Sequence, residues 1–581
     1  MEKYSIEPKP KFNNLKELIY NTVKLYPENI AFCNKIINGK DVIYENISYN
    51  AFLNDINAFG TKLYDLGFQN KRIAIVGKNR YEWVVAHMAN MLGNMVSVPL
   101  DKDLQVGELE NSLIRSKADV VVFDEKQLEK IEEIKKNGNT NLKEYICMTE
   151  KEGYFDVRAL IKEGKNLIKD GREDFINQEI DNDKMSILLF TSGTTSASKA
   201  VMLAQRGIAN NVYSMLLVEP IFSTDVNIAF LPMHHIFGST CMAVMLGSGV
   251  KTVFPDGLKY VKQNLQEYGV SIFVGVPALI DAMYKNIEKT IEKQNMGTKV
   301  KIGKIITKFL LKFGIDVRRK IFKKVIDGLG GKMRFVISGG APLDPEKAEG
   351  FRSFGIELVQ GYGLTETSPV VAAEDPKHKK LGSIGVPMKD IQVEIVDKDD
   401  NGIGELRVKG SLVMLGYYEN EEATKEVLKD GWFYTGDLAK IDKDGYIFIT
   451  GRKKDVIVLK NGKKIFPDEL ETLINRIEGV DESIVYGLPD NPNDLNDVKV
   501  ALKIVYDKNN AKEIYGKETE QEIYDIFWNK VKEINKKLPQ YKYIKHLDIT
   551  TEPLIKTTTN KVKRKIEIEK IIKEFNEKNN K

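Results

Sequence analysis

Residues 190–201, "FTSGTTSASKAV", follow an apolar run and place six hydroxyl side chains, Thr191, Ser192, Thr194, Thr195, Ser196 and Ser198, around Gly193 with Lys199 close behind. A loop that only has to turn needs one or two Gly, Asn or Asp residues. Hydroxyls with a lysine at this density instead supply donors and charge for an oxyanion. The nearest comparison is the P-loop G-x-x-x-x-G-K-[ST], which fails twice: Ser198 stands where the second Gly belongs, and Ala200 where a hydroxyl must reach Mg²⁺. A GTPase-like or kinase-like P-loop is therefore excluded. The bland alternative is a polar turn after a strand.

Four further stretches carry reactive side chains. "LVQGYGLTETSP" (358–369) sets Tyr362 between Gly361 and Gly363, where a ring can cover a base, and then presents Thr365 and the carboxylate of Glu366. "SGGAPLDPE" (338–346), with Gly340, Ala341 and Pro342, is glycine-rich directly after a strand, where backbone can approach a ligand. "GWFYTGDLAKIDKDGYIFITGRKKDVIVLKNGKKIFPDELE" (431–471) contains Asp437, Arg452, Lys454 and Gly462. "LPMHHIFG" (231–238) offers His235 beside Phe237, and an isolated histidine of this kind is as readily a satisfied core residue.

The elements that must hold these stretches read as an α/β protein. "KRIAIVG", "MVSVPLD" and "ADVVVFDE" alternate with helical patterns, which implies mostly parallel sheets covered by helices. Past residue 380 short strands and Gly or Asp turns suggest a small β unit, and from about Asp455 a compact α+β piece follows. The expected division is a large domain over 1–453 and a small mobile one over 454–581. The 581 residues exceed one core. Three cysteines and five histidines without a C-x-x-C pair exclude a disulfide framework and disfavour structural zinc. No apolar run reaches bilayer length, and the first twenty residues have no signal-type core, so a cytoplasmic protein is expected. A net charge of +4 argues against a nucleic-acid binder. The charge is uneven: residues 285–328 hold thirteen Lys or Arg against four acids, a net +9 that leaves the remainder at −5. Within that insertion Ile302, Ile305, Ile306, Phe309, Leu310 and Phe313 recur at helical spacing, which predicts an amphipathic helix with a basic face. Such a helix either lies on an anionic membrane surface, here the inner face, or docks on its own domain with its lysines solvated.

Taken together, and in order, these motifs resemble the superfamily of adenylate-forming enzymes, which includes acyl-CoA synthetases, firefly-luciferase-like proteins and the adenylation domains of peptide synthetases. The resemblance spans about residues 15–570. It implies that Thr191, Ser192, Gly193, Thr194, Thr195 and Lys199 touch ATP phosphates; that Glu366 helps to hold Mg²⁺; and that Tyr362 stacks on adenine in a pocket lined by Gly340 and Ala341. It further implies that Asp437 accepts hydrogen bonds from the ribose hydroxyls with Arg452 nearby, that Lys454 is the hinge, and that Gly462 lies where a pantetheine arm passes. "PLIKTTTNKVKRK" (553–565) is similar to the segment ending in the family's catalytic lysine, here Lys561, and "LPMHHIFG" to the border of the carboxylate pocket, with His235 and Phe237. The sequence departs from the usual pattern where Ser196, Ser198 and Ala200 replace Gly, Pro and Gly, and where Asn560 replaces Gly.

The chemistry that the resemblance implies is activation of a carboxylic acid as an acyl-adenylate with loss of pyrophosphate, followed by transfer to the thiol of coenzyme A. The insertion, with "GIDVRRKIFKKVIDGLGGKMRFVISGGAPLDPE", is similar to bacterial long-chain fatty acyl-CoA synthetases. Alternatives are an acyl-carrier-protein ligase and a synthetase for medium-chain or aryl acids. A more remote one is an adenylate-binding interaction protein without catalysis, which Glu366, Asp437, Arg452 and Lys561 argue against.

Overall fold

The computed structural model describes residues 9–39, 41–191, 198–376, 379–491, 494–556 and 562–579. Among them Arg72–Val76, Val96–Leu100 and Val120–Phe123 pair in parallel. Their apolar runs, buried on both faces, are what a helix-covered parallel sheet requires. They form the centre of an eight-stranded sheet that continues through Met185–Phe190 and Ala200–Ala204 to the two-residue strand Gly416–Tyr417. Helix Tyr81–Leu92 packs over it with every residue buried, so this helix needs no polar face.

A second, nine-stranded sheet has at its middle the parallel strands Val226–Ile228, Ile272–Gly275, Phe335–Ser338 and Glu357–Gly363. One apolar core reaches from Ile73 and Ile187 of the first sheet to Ile272 and Val359 of the second, with helices Gln205–Val218 and Ile236–Gly247 between them. A third, five-stranded sheet contains Gly404–Lys409, Trp432–Ile441 and Ile447–Arg452. Beyond it Ile457, Leu470, Val485, Leu502, Phe527 and Leu547 build a separate core around the sheet Glu482–Asn491, Asp494–Val505 and His546–Thr550. The α/β reading of the sequence stands.

The insertion folds as helices, among them Pro277–Lys293 and Gly297–Leu311. The second presents Val300, Gly303 and Thr307 inward, while Ile302, Ile305, Ile306 and Phe309 are exposed. Periodicity in the sequence identifies the apolar face of this helix, but the buried face is the other one, marked by small side chains.

Candidate functional site

The hydroxyl loop joins two antiparallel strands, with Phe190 opposite Ala200. A P-loop leads from a strand into a helix, so the topology rejects that motif independently of its missing residues. The loop is closed at its base, where the Thr191 N–H and Oγ1 both donate to the carbonyl of Lys199 at 2.8 and 3.2 Å. Ser192, Gly193, Thr194 and Thr195 lie outside the described residues. On the returning side the Ser198 carbonyl accepts from Arg115 at 2.7 Å, and the Arg115 guanidinium sits 5.2 Å from the Phe190 ring centroid. The Ser198 hydroxyl is buried without a partner among the described residues. A buried hydroxyl without a partner costs free energy, and beside this loop it fits an anionic ligand.

Strand Ala200–Ala204 also pairs with Gly416–Tyr417, setting Tyr417 opposite Val201. The Tyr417 hydroxyl donates to Oε1 of Glu366 at 2.9 Å, and its ring lies 4.5 Å from Lys199 Nζ, a cation–π distance. Burial and the Glu366 charge raise the Tyr417 pKa, which keeps it protonated and donating. Sequence reasoning passed over Tyr417; the only trace is its place in "LGYYEN", after the small β unit begins. No cluster of three His, Cys, Asp or Glu suited to a metal occurs among the described residues. A lone carboxylate with one oxygen already oriented does fit Mg²⁺, which takes one or two protein carboxylates and fills its shell with phosphate oxygens and water.

Glu366 and Tyr362 come from the end of strand Glu357–Gly363, whose neighbour Phe335–Ser338 runs parallel and in register, Ser338 opposite Gln360. Two motif loops therefore leave side by side from the carboxyl edge of one sheet, where open α/β sheets bind ligands. Gly361 and Gly363 flank Tyr362 in the strand, Thr365 and Glu366 follow in a single 3₁₀ turn, and Gly340, Ala341 and Pro342 form an exposed rim beside them.

Asp437 comes from the third sheet. It is buried, faces Arg452 directly across the antiparallel pair, and receives the Arg452 Nε at 3.0 Å on Oδ1. The Tyr362 hydroxyl donates to its other oxygen at 2.5 Å. A carboxylate offers about four lone-pair sites, and a buried one held between an arginine and a phenol is of the type that accepts the hydroxyls of a diol. Burial, followed by the Asp437 charge and hydrogen bond, pushes the Tyr362 phenol well above its ordinary pKa. Burial works against the Arg452 charge, but Asp437, Tyr362, Asp455 and Glu366 outweigh it and raise its pKa. Tyr362 thus joins the second sheet to the third, and Tyr417 joins the first sheet to Glu366 of the second.

His235 stands at the residue before helix Ile236–Gly247 without a side-chain bond to its first turn, and its ring centroid lies 4.3 Å from that of His234. Asn79 pins this loop, donating to the Ala229 and Leu231 carbonyls at 2.8 and 2.7 Å and accepting from Met233 N–H at 3.1 Å. A Cβ on Gly339 would come within 2.8 Å of the Phe237 ring, so the glycine brings the histidine segment against the glycine-rich loop. Beneath it a cavity of about 20 Å³ is lined by Phe230, Leu231, Gly238, Cys241 and Met242. A space of that volume holds about one water.

Three sequence candidates remain. Lys454 is exposed in the turn between Ile447–Arg452 and Ile457–Val458. Gly462 occupies the tight turn that follows, with φ +77°, its N–H donating to Leu459 at 2.8 Å and open space where a Cβ would be. Lys561 lies outside the described residues. Across the two cores, Arg476 donates through Nε and Nη2 to Asp344 at 3.0 and 2.8 Å and through Nη1 to Glu346 at 2.6 Å.

Side chains from three sheets are linked here, an oriented carboxylate through Tyr417 to Lys199 and a second carboxylate to an aromatic hydroxyl and an arginine, an arrangement that could hold a nucleotide without a P-loop. The chain belongs to the AMP-binding enzyme family, the adenylate-forming enzymes: residues 20–418 match AMP-binding enzyme, and residues 454–580 match its C-terminal domain. It is 30% identical over 477 residues to long-chain-fatty-acid–CoA ligase 5 of Rattus norvegicus, covering 76% of this chain and 69% of that one. It is 28% identical over 503 residues to fatty acyl-CoA synthetase B of Dictyostelium discoideum, covering 81% and 75%. An anthranilate CoA ligase solved with anthranoyl-AMP shares the fold at a TM-score of 0.74 and 19% identity, covering 96% of this chain and 97% of that one. O-succinylbenzoate coenzyme A synthetase of Bacillus subtilis, solved with ATP and magnesium, does so at 0.70 and 21%, covering 95% and 99%.

Proposed function

We propose that the protein activates a fatty acid, of long chain, to an acyl-adenylate at the expense of ATP and then transfers the acyl group to coenzyme A. The observation that carries this reading is the pair of linked groups Glu366–Tyr417–Lys199 and Tyr362–Asp437–Arg452, both reached from the end of strand Glu357–Gly363. These groups supply the two things that a nucleotide asks for, an anion site and a diol acceptor. The names of the relatives support the acid and the thiol, and the bound molecules in the titles of the structural neighbours support the adenylate.

A carboxylate is a poor acyl donor because its leaving group would be oxide. Its oxygen attacks the α-phosphorus, pyrophosphate leaves, and the product has AMP as a good leaving group; a thiolate then attacks the acyl carbonyl and AMP departs. In this reading Thr191, Lys199 and the loop through Thr195 bind the β- and γ-phosphates, and Asp437 holds the ribose. The Tyr362 ring, its hydroxyl end held by Asp437, carries adenine. Mg²⁺, when bound, neutralises phosphate charge, with Glu366 as its protein ligand and Thr365 alongside. His235 and Phe237 border the acid, and Lys561 meets charge that develops at the α-phosphate. Lys454 is the pivot that exchanges Lys561 for the Gly462 turn at the same carbonyl.

Product analysis with acids of graded chain length, offered coenzyme A or acyl carrier protein, tests this. The expected products are AMP and pyrophosphate, with kcat/KM greatest for long chains and coenzyme A. Release of ADP, or turnover independent of acid, refutes the reading. Lys561→Ala is expected to slow acyl-adenylate formation by about 10²–10³ and to leave thioester formation from supplied acyl-adenylate largely intact.

A further inference from the structure

Helix Gly297–Leu311 turns its large apolar side chains away from the protein. Ile305 is 70% exposed, Phe313 67%, Phe309 59% and Ile302 52%, with Ile306 and, beyond the helix, Ile315 close behind. At about 100° per residue, Ile302, Ile305, Ile306, Phe309 and Phe313 fall within one stripe. The Phe309 and Phe313 rings meet edge to face at 5.2 Å and extend it past the last helical residue. Burying such a stripe is the ordinary reason for an amphipathic helix to fold onto a domain; here the opposite side is used. Val300, Gly303 and Thr307 face inward, and a Cβ on Gly303 would stand 3.1 Å from both Ile321 and Phe322. The backbone is drawn close to the protein so that the helix is held by its small residues and its large ones remain outside.

The charge around the stripe is sorted in the same way. Exposed Lys301, Lys308 and Lys312 follow each other along one edge of it. The basic residues that face inward are occupied: Lys304 lies 4.6 Å from the Phe354 ring centroid, and Arg318 and Arg319 donate to the carbonyls of Arg352 and Met333, each at 2.6 Å. Of the acids nearby, Asp316 pairs with Arg318 at 3.0 Å and Asp327 with Lys323 at 2.8 Å, while Glu288 and Glu349 act on the inward-facing Lys304. Residues 297–315 contain no Asp or Glu, so an outward surface of isoleucine and phenylalanine edged by three lysines has no acid on its own segment to match. A second copy of this chain would bring the same lysines. A bilayer containing anionic lipid brings the opposite charge at the headgroups and an apolar layer for the stripe to enter.

We infer that residues 302–315 are a docking surface for an anionic lipid bilayer, with the helix lying in the interface plane, the apolar stripe entering the acyl boundary and Lys301, Lys308 and Lys312 meeting headgroups. No helix among the described residues is long and apolar enough to cross a membrane, so this contact is peripheral. The inference rests on the helix alone and holds whichever acid the enzyme activates.

Flotation of the full chain with phosphatidylcholine vesicles, with and without phosphatidylglycerol, tests it. Binding is expected to the anionic vesicles and to weaken as salt rises. Ile305→Ser/Phe309→Ser/Phe313→Ser is expected to lower the partition coefficient at least about tenfold. Lys301→Glu/Lys308→Glu/Lys312→Glu is expected to lower it about fivefold or more for each lysine. All six positions are exposed, so thermal unfolding of both variants should match the parent. Absence of binding by the parent, or equal binding by the serine variant, overturns the inference. So does a dimer in light scattering that the serine variant converts to monomer, which would show the stripe buried against a second copy.

Discussion

At the scale of single residues, Tyr417 does two jobs with one side chain: its ring faces the Lys199 ammonium and its hydroxyl orients Glu366. Removing the hydroxyl while keeping the ring separates them. Tyr417→Phe leaves the cation–π contact and frees the carboxylate to rotate, and a hydrogen bond to a charged group is worth about 1.5–3 kcal/mol. Acyl-adenylate formation is expected to fall about tenfold or more, with a higher Mg²⁺ concentration at half-saturation and an unfolding temperature lowered by no more than a few degrees. Titrating Mg²⁺ in a pyrophosphate-release assay measures this, and an unaltered Mg²⁺ midpoint would refute the orienting role. Tyr417, Arg115 and Asn79 share the reason that sequence reading passed them over. None belongs to a recognisable motif, and each acquires its partner only through a long-range contact, such as the pairing of Tyr417 with Val201 or the bond from Arg115 to Ser198.

At the scale of elements, the strands Arg72–Val76, Val96–Leu100 and Val120–Phe123 are legible because a fully buried strand must be an unbroken apolar run. The division of the parallel strands between this sheet and the nine-stranded one is not, since strand order is fixed by partners far apart in the chain. The helix in the insertion is legible from its period, but period gives a stripe and not the side on which the protein lies; Gly303 and Thr307 mark that side. Gly462 illustrates a different ambiguity. The resemblance assigns its lack of a side chain to a passing thiol arm, whereas the turn it occupies requires φ +77° by itself. Leucine there carries left-handed strain of about 1–2 kcal/mol, while asparagine tolerates that conformation. If the arm passes over this turn, Gly462→Asn and Gly462→Leu both retain the pyrophosphate burst and both lose thioester formation, leucine more severely. Normal thioester formation by the asparagine variant would assign the glycine to the turn alone.

At the scale of the whole molecule, the two cores are clasped by Arg476, bidentate on Asp344 and reaching Glu346. Asp344 also caps helix Pro345–Ser353, so the clasp lands on the loop that rims the cleft. A bidentate arginine–carboxylate pair, partly exposed here, is worth about 1 kcal/mol. If the small unit turns between half-reactions, Arg476→Ala should weaken the one that uses this arrangement and spare the other, changing the ratio of pyrophosphate burst to thioester rate about fivefold. Equal changes in both rates would mean that the clasp holds no particular arrangement. The pairing of Asp437 with Arg452 adds a mechanical point, because Lys454 follows Arg452 by two residues on the same hairpin. On the proposed reading the pivot is anchored beside the sugar. A body that swings about a point next to what it grips has no reach there and great reach at its far end. The far surfaces can be exchanged while the nucleotide half of the intermediate hardly moves, and a reactive mixed anhydride is handed from one chemistry to the next without being released to water.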